Sequence, residues 1–564
     1  MVQVLESLYH DMFNRVTFGS SESGMRTRSN GRHQMGRTRR IIRMGAIPVA
    51  IYLAIFFVVT YPLLYKFSTH FFANDKDGLV MIWDIWWTNT AVTQLHQSPW
   101  HTGYLYYPYG VGLLTHTLCP FNGFLAMALL PFLTLKQAYN FIVILTFVVA
   151  GLTTFWLSHH ITRAYVPSIV AGFIFSFSNY HFAHTPGHLN LASLEWIPLF
   201  VLFWYMFLER PGVLIALASA ASLFAVSLCD YYYLFYSLVI AAMMFVWVTL
   251  RQRNHIFTKQ YVISLSVFVA ATLASSGIII FKISRLMGNT PLHGAHDPSM
   301  YPADLLAPFI YGARLRFSYL TRGFWTHLQG NNSEFSVYVG VSVLILVVYA
   351  WIRRKKIDKP NFRLWYVLLF FFLLSSLGPT LHVWGKQVPF ALMPYRLLDV
   401  VFPSLKLSGV PSRMMVIVML CAAVISAMGL DQLLRGPAKT RVCAVMLLLL
   451  LFVEFLPHKM KAFEGTVPEW VYVLRDLPGK EGVIDNRGKP YSAMYYQTIH
   501  NKPLWGGFIA RIPRRLMEEN ARINQHVMKR DFETLRDVYG FKYEVSGGGV
   551  IYDLSRGEVI YRQK

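Results

Sequence analysis

Charge is scarce in this 564-residue chain: 14% of its residues are Asp, Glu, Lys or Arg, against about a quarter in soluble domains. Acids are the scarcer sign, 29 against 52 Lys and Arg. With 54% hydrophobic residues and a mean hydropathy of +0.39, these absences exclude a string of soluble domains and a disordered chain. Cysteine is rare too. Cys119, Cys229, Cys421 and Cys443 lie in or beside apolar runs with no CxxC spacing, which speaks against a structural zinc site. A Cys119–Cys229 disulfide requires both residues on the outer face. No Walker loop or Rossmann glycine pattern occurs in a strand–turn–helix context, so nothing points to an ATP-driven pump. Convincing internal or inverted repeats are missing as well, which weighs against a secondary transporter.

Apolar sequence is what the chain has in abundance. Runs of 18 or more residues recur from Met44 to Pro457, each able to cross a hydrocarbon core of ~30 Å. The chain reads as a polytopic α-helical membrane protein. Its formal charge of +23 then reads as Lys and Arg gathered in cytoplasmic loops, not as a nucleic-acid surface. Seven arginines from Arg26 to Arg43 precede the first run, and no small-residue cleavage site follows it. That implies an uncleaved first span and a cytoplasmic N-terminal segment, 1–43, of which the first 25 residues read as a disordered lead.

The spans expected are 44–65, 138–158, 165–178, 191–208, 212–228, 231–250, 260–281, 335–352, 362–379, 411–431 and 440–456, about 11 in all. The run 118–134 is short and is read as a flat interfacial helix. With it flat, Arg163, Arg210, Arg251, Arg253, the run Arg353 to Lys356, Arg435, Lys439 and Arg441 all face the cytoplasm; if it crossed, all would face outward, against the positive-inside rule. The transmembrane part is thus 44–456, with outer loops 66–137, 282–334 and 380–410. The tail, 457–564, reads as a small soluble extracytoplasmic α/β unit. Its clearest elements are a strand near Gly482–Ile484, a charged helix over Pro513–Tyr539 and a hairpin at Gly547–Gly549.

Three groups of residues on that outer side have chemical potential. The first loop carries Asp75, Asp77 and Asp84 in FANDKDGLVMIWDIWW; carboxylates at a membrane face beside aromatic rings suit a general base or a metal, or are plain solvated loop residues beside an aromatic belt. Lys282, Arg285, Arg314, Arg316, Arg322, Lys386, Arg396, Lys406 and Arg413 also face outward. Cations there call for an anion, either a lipid phosphate, the tail or anionic headgroups. His181, His184 and His188 in HFAHTPGHLN, with His116 in LLTHTLCP, form the third group. Pro186 and Gly187 interrupt their helical spacing, which favours polar packing around a sugar or phosphate over metal ligation. Glu195, near an outer span end, is costly in lipid and so is expected to face a cavity.

Taken together, DGLVMIWDIWW, LYYPYGVGLLTHT, FSFSNYHFAHTPGHLNLASLEWIPL, LGPTLHVWG, PYRLLDVVFPSLKLSGVPSRM and MYYQTIHNKPLWGGFIAR resemble polyprenyl-phosphate-dependent glycosyltransferases of the GT-C superfamily, and more narrowly YfhO-like prokaryotic membrane proteins. The resemblance implies a GT-C-like fold in the plasma membrane. It also implies transfer of a sugar from a polyprenyl-phosphate-linked donor to a glycan, lipid or protein acceptor outside the membrane, with inversion at the anomeric carbon. By resemblance Asp77 is the general base, with Asp75 in reserve, and Lys282, Arg285 and Arg413 bind the donor phosphate. His116, His184, His188 and Glu195 are the residues expected around the substrate cavity. Some members use a divalent metal, Mg or Mn, and this chain has no DxD string that decides the matter. The rival expectation is a non-enzymatic role, as a lipid or polysaccharide transporter component or an envelope-assembly scaffold.

Overall fold

The computed structural model describes residues 38–251 and 258–563, except 291, 295, 329, 358, 360, 390–392 and 403–408. The N-terminal lead with its arginines up to Arg37, and also Arg253 and Lys406, lie outside the described residues. Helices occupy each stretch expected to span. They are α1 (Thr38–Val59), then, after α2 (Asp77–Asn89) and α3 (Pro120–Leu129), α4 (Leu135–Thr162) and α5 (Tyr165–Ser176). α6 (Trp196–Glu209), α7 (Val213–Cys229), α8 (Tyr231–Arg251) and α9 (Lys259–Gly288) follow. α10 (Val341–Ile352), α11 (Phe362–Ser376), α12 (Pro411–Arg435) and α13 (Ala438–Glu454) complete the set. Among the described residues, five of these, α1, α4, α8, α9 and α12, are long and apolar enough to cross a membrane, and the others are shorter.

The shortening has local causes. α6 starts only at Trp196 because the chain before it makes a separate turn of helix, Leu189–Ala192, and breaks at Ser193. α10 starts at Val341 because Gly340 sits at φ +105°, a conformation that ends any helix running through it. α3 has 10 residues, about 15 Å at 1.5 Å per residue, half the depth of a hydrocarbon core.

The centre of the bundle is α12, whose apolar window is fully buried, with α4 buried over 89% of its own. A reciprocal cap begins α4: the Thr134 hydroxyl accepts from Gln137 N, and the Gln137 side chain accepts from Thr134 N. α1, α4 and α5 approach closely through small residues. Tyr52 of α1 lies where a Cβ on Gly151 or Gly172 would stand, and its hydroxyl donates to Ile169 O at 2.9 Å. By contrast, α9 is only 17% buried over its apolar window, and α13 leaves Val442, Val445, Met446, Leu449, Leu450 and Val453 exposed. Long apolar faces of this kind are suited to lipid.

The tail carries α14 (Glu469–Asp476), α15 (Pro490–His500) and α16 (Arg514–Lys529) and a four-stranded sheet of β1 (Gly482–Asp485), β2 (Phe541–Ser546), β3 (Val550–Asp553) and β4 (Glu558–Tyr561). The strand order is β4-β3-β2-β1, with β1 parallel to β2 and the other pairs antiparallel. The turn expected at Gly547–Gly549 joins β2 to β3. The single charged helix expected over Pro513–Tyr539 is two: Arg530 adopts φ +53° and Asp531 caps a second helix, Phe532–Asp537, by accepting from Thr534 N. All four cysteines are free thiols, so the Cys119–Cys229 disulfide is not formed.

First loop and tail are knitted together. Tyr107 N donates to Leu504 O at 3.0 Å, Leu504 N to Tyr104 O at 2.8 Å, and Trp83 Nε1 to Gln497 Oε1 at 2.6 Å. Trp83 and Trp87 are fully buried and stacked 5.7 Å apart. They pack inside the protein and are not the aromatic belt that their composition alone also allowed.

Candidate functional site

Asp77 is the first residue of α2, and its place is set by Asn74. The Asn74 side-chain oxygen accepts from Lys76 N at 3.0 Å and from Gly78 N at 2.9 Å, while Asn74 N donates to Pro186 O at 2.7 Å. The contact is too close for side chains. A Cβ on Gly78 would stand 2.7 Å from Pro186 O, and one on Gly187 would stand 2.8 Å from Asn74 Nδ2 and 3.5 Å from Asp77 Cβ. Two loops, around Asn74 and around Pro186, are thus locked together beside Asp77. Its carboxyl is half-buried, and burial raises it above the ordinary aspartate value against the opposing charge of Lys76. Its charge reaches the tail, where the Tyr491 phenol is raised by burial and then by Asp77. Asp75 is exposed.

The three histidines expected here separate by role. His181 is a packing residue: it stacks 3.7 Å from the Phe147 ring, donates from Nδ1 to Ser176 O at 2.7 Å, and is pushed by burial to about 3. His184 donates from Nδ1 to Tyr180 O at 2.8 Å and places Nε2 3.5 Å from Glu334 Oε2. His188 stands 6.0 Å from it, ring to ring, and is lowered to about 3 by burial and then by Arg413. A neutral imidazole at that position accepts or donates without adding charge.

Glu334 is the hub. Arg413 grips it with Nη2 at 2.5 Å and Nε at 3.2 Å from both oxygens. Burial pushes the Glu334 carboxyl up, but Arg413 and His184 outweigh it and hold it well below the usual glutamate range. The Arg413 guanidinium also lies over the Tyr232 ring at 4.6 Å. Asp230 fixes that segment by accepting from Tyr232 N and Asn190 Nδ2, both at 2.8 Å. Tyr180 and Tyr233 pair through their hydroxyls at 3.1 Å.

A second buried carboxylate lies further along α2. His116 Nε2 is 3.2 Å from Asp84 Oδ1, and Ala510 N donates to His116 Nδ1 at 3.1 Å. The acceptor role of Nδ1 leaves the ring proton on Nε2, so His116 donates to Asp84 and couples the tail to α2. The next residue, Arg511, is half-buried, and its Nη1 donates to Ala510 O at 2.8 Å.

The structure therefore gathers His184, His188 and Arg413 around Glu334 and sets Asp77 against Gly187, the residue before His188, while His116 pairs with Asp84 and the tail. Glu195 is buried at the start of α6, its carbonyl accepting from Thr153 Oγ1 at 2.9 Å. Lys282 and Arg285 are exposed on α9, and among the described residues neither makes a hydrogen bond or ion pair. Glu334, Tyr232, Tyr491 and Arg511 are the residues that sequence reasoning did not single out. Glu334 could have been found as a lone acid beside an apolar run, and Arg511 closes the MYYQTIHNKPLWGGFIAR string. Among the described residues no three His, Cys, Asp or Glu side chains converge in a group that could hold a metal ion.

The helical fold aligns with that of the arabinofuranosyltransferase AftD from Mycobacteria over 89% of this chain at 13% identity, with a TM-score of 0.51. That alignment spans 36% of AftD. The oligosaccharyltransferase of Archaeoglobus fulgidus aligns over 88% of this chain and 67% of its own at 14% identity, TM-score 0.47. ArnT from Cupriavidus metallidurans, in a crystal structure with undecaprenyl phosphate, aligns over 89% and 92% at 11% identity, TM-score 0.46. The AftD likeness agrees with a GT-C-like fold; the narrower YfhO-like resemblance gains no support from these matches. No curated protein matches the chain in sequence. The match over residues 47–456 establishes that the chain belongs to the family described as Domain of unknown function (DUF6311).

Proposed function

We propose that this chain is a membrane glycosyltransferase that moves a sugar from a polyprenyl-phosphate-linked donor to an acceptor outside the plasma membrane, with Asp77 as general base. The observation that carries the reading is the placement of Asp77: a half-buried carboxyl with a raised proton affinity, set between two interlocked loops against Gly187, the residue before the buried and neutral His188. In the reaction the acceptor oxygen attacks the anomeric carbon and its proton passes to Asp77. The bond from that carbon to the phosphate oxygen breaks, and the electron pair leaves with the polyprenyl phosphate. A carboxyl lifted above the ordinary value is a better proton acceptor than an exposed one, and a fixed guanidinium stabilises the charge that builds on the phosphate.

In this reading Arg413 faces the donor phosphate, His184, His188 and Glu195 shape the polar wall, and His116 holds the tail in place. Asp75 is the reserve base. Lys282 and Arg285, exposed on α9, contribute weakly to donor-phosphate binding, at the headgroup layer. The N-terminus is cytoplasmic, the outer loops and tail extracytoplasmic, and the helices give 11 crossings. Purified protein supplied with a panel of labelled polyprenyl-phosphate sugars and an envelope-derived acceptor mixture tests this. Transfer or release from one donor by wild type, and none by Asp77→Asn, is the expected result; equal turnover by both sinks the assignment of the base.

A further inference from the structure

Glu334 and Arg413 form an ion pair whose side chains are 3% and 11% exposed, and both partners are held from behind. Asn331 Oδ1 accepts from Ser333 N and Glu334 N, both at 3.0 Å, which fixes the loop under the carboxylate. Beside Arg413, Ser412 N donates to Tyr301 O at 3.2 Å, and the guanidinium itself lies over the Tyr232 ring. The fork is thus held on its face by an aromatic ring and on one edge by a carboxylate. That edge uses Nε and Nη2. Among the described residues Nη1 has no hydrogen-bond partner, and it is not sealed from solvent.

Charge is the unusual part of this arrangement. A guanidinium that only has to grip an anion grips hardest with its charge unanswered, yet this one already carries a carboxylate on its fork, and the pair is close to neutral as a unit. The proposed transfer changes the charge of the phosphate. A sugar phosphodiester bears one negative charge, whereas the polyprenyl monophosphate left behind bears about −1.5 to −2 at neutral pH. A bare cation therefore holds the product more tightly than the donor, and slow product release limits many enzymes. A carboxylate on the far edge of the fork weakens the hold on both. It also keeps the fork oriented for the charge that develops between them.

We propose that Glu334 is a positioning residue that turns the Nη1 edge of Arg413 toward the phosphate and offsets the charge of the guanidinium, so that the polyprenyl monophosphate formed in the transfer is released. The phosphate is that of the transferase reading, on which this assignment rests. Glu334 touches neither donor nor acceptor; it acts through Arg413.

Purified full-length protein titrated with radiolabelled undecaprenyl monophosphate, and with its methyl ester, a singly charged diester on the same tail, tests this without requiring turnover. Each protein is measured well below its thermal midpoint. Wild type should bind the two lipids within about threefold of each other. Glu334→Gln, whose amide oxygen still accepts from Arg413, should bind the monophosphate about fivefold tighter than wild type and prefer it to the ester. Glu334→Asp keeps the charge and should return to the wild-type preference. Where a donor supports transfer, kcat of Glu334→Gln should fall about tenfold and KM should fall with it. A wild type that already prefers the monophosphate by more than about tenfold, or binds neither lipid, overturns the assignment without any variant. So does a folded Glu334→Gln that binds the monophosphate as wild type does or more weakly, which is what a pair serving only to hold loop and α12 together would give. Tighter monophosphate binding by Glu334→Gln in a protein that transfers no sugar would leave the charge offset standing and count against the transferase. Sugar transfer by wild type with unchanged affinity in Glu334→Gln would do the reverse.

Discussion

Asp77 and Asp84 stand on one helix, two turns apart, and have opposite surroundings. Asp84 is 2% exposed and meets the imidazole of His116, which is in turn held by the tail backbone. Asp77 sits at the helix start, half-buried, with no ion pair among the described residues. Burial raises both carboxyls, but at Asp84 the charge and hydrogen bond of His116 oppose that rise, whereas at Asp77 only Lys76 does. Two carboxylates of one sequence string thereby differ: one joins first loop and tail, the other has no ion pair among the described residues and, in the proposed transfer, takes the proton.

The sharpest way to break this division is to neutralise each acid in turn. Asp77→Asn is expected to lower turnover by about 10²–10⁴-fold, the usual range for a lost general base, with no change in the thermal midpoint; Asp75→Asn should change turnover less than threefold. Rates measured on the two purified variants check this. Asp84→Ala removes one partner of a buried pair and should cost about 3 kcal/mol or more of stability. Asp84→Asn, whose amide oxygen still accepts from His116 Nε2, should cost less, as denaturant melts will show.

Proton affinity sharpens the comparison further. A base works only when deprotonated, and the Asp77 carboxyl lies above the ordinary value of about 3.9. The acid limb of the rate profile should therefore fall at higher pH than for an exposed aspartate, and activity should drop as pH falls through it. Glu334 runs the other way. Its folded value lies below the unfolded one, so the stability it contributes is present above the usual glutamate range and is lost as pH falls through the folded value. Thermal midpoints of wild type and Glu334→Gln should accordingly begin to approach each other below about pH 4 and meet only once the folded value is passed. The smallest effect expected is at the exposed cations: Lys282→Gln and Arg285→Gln should each alter donor affinity less than twofold.

Much of this arrangement was legible in the sequence. The helices follow from apolar runs, and the sheet follows from short strand signals around Gly482 and Gly547–Gly549. Asp77, Arg413, His184 and His188 could be named from their strings. What the sequence does not carry is pairing across long separations. Arg413 finds Glu334 79 positions away, and His116 meets Ala510 394 positions away; no spacing rule reports such contacts. Lys282 and Arg285 stand out in the sequence as cations at a span end, a rule that speaks to depth and not to direction. The helix places both side chains on its exposed face.

The most direct test is sugar release at saturating donor by Asp77→Asn and Asp84→Asn, measured beside their thermal midpoints. The account predicts an inactive but stable Asp77→Asn and a less stable Asp84→Asn whose folded fraction still turns over. Wild-type turnover by folded Asp77→Asn, with activity lost only at Asp84, would contradict it.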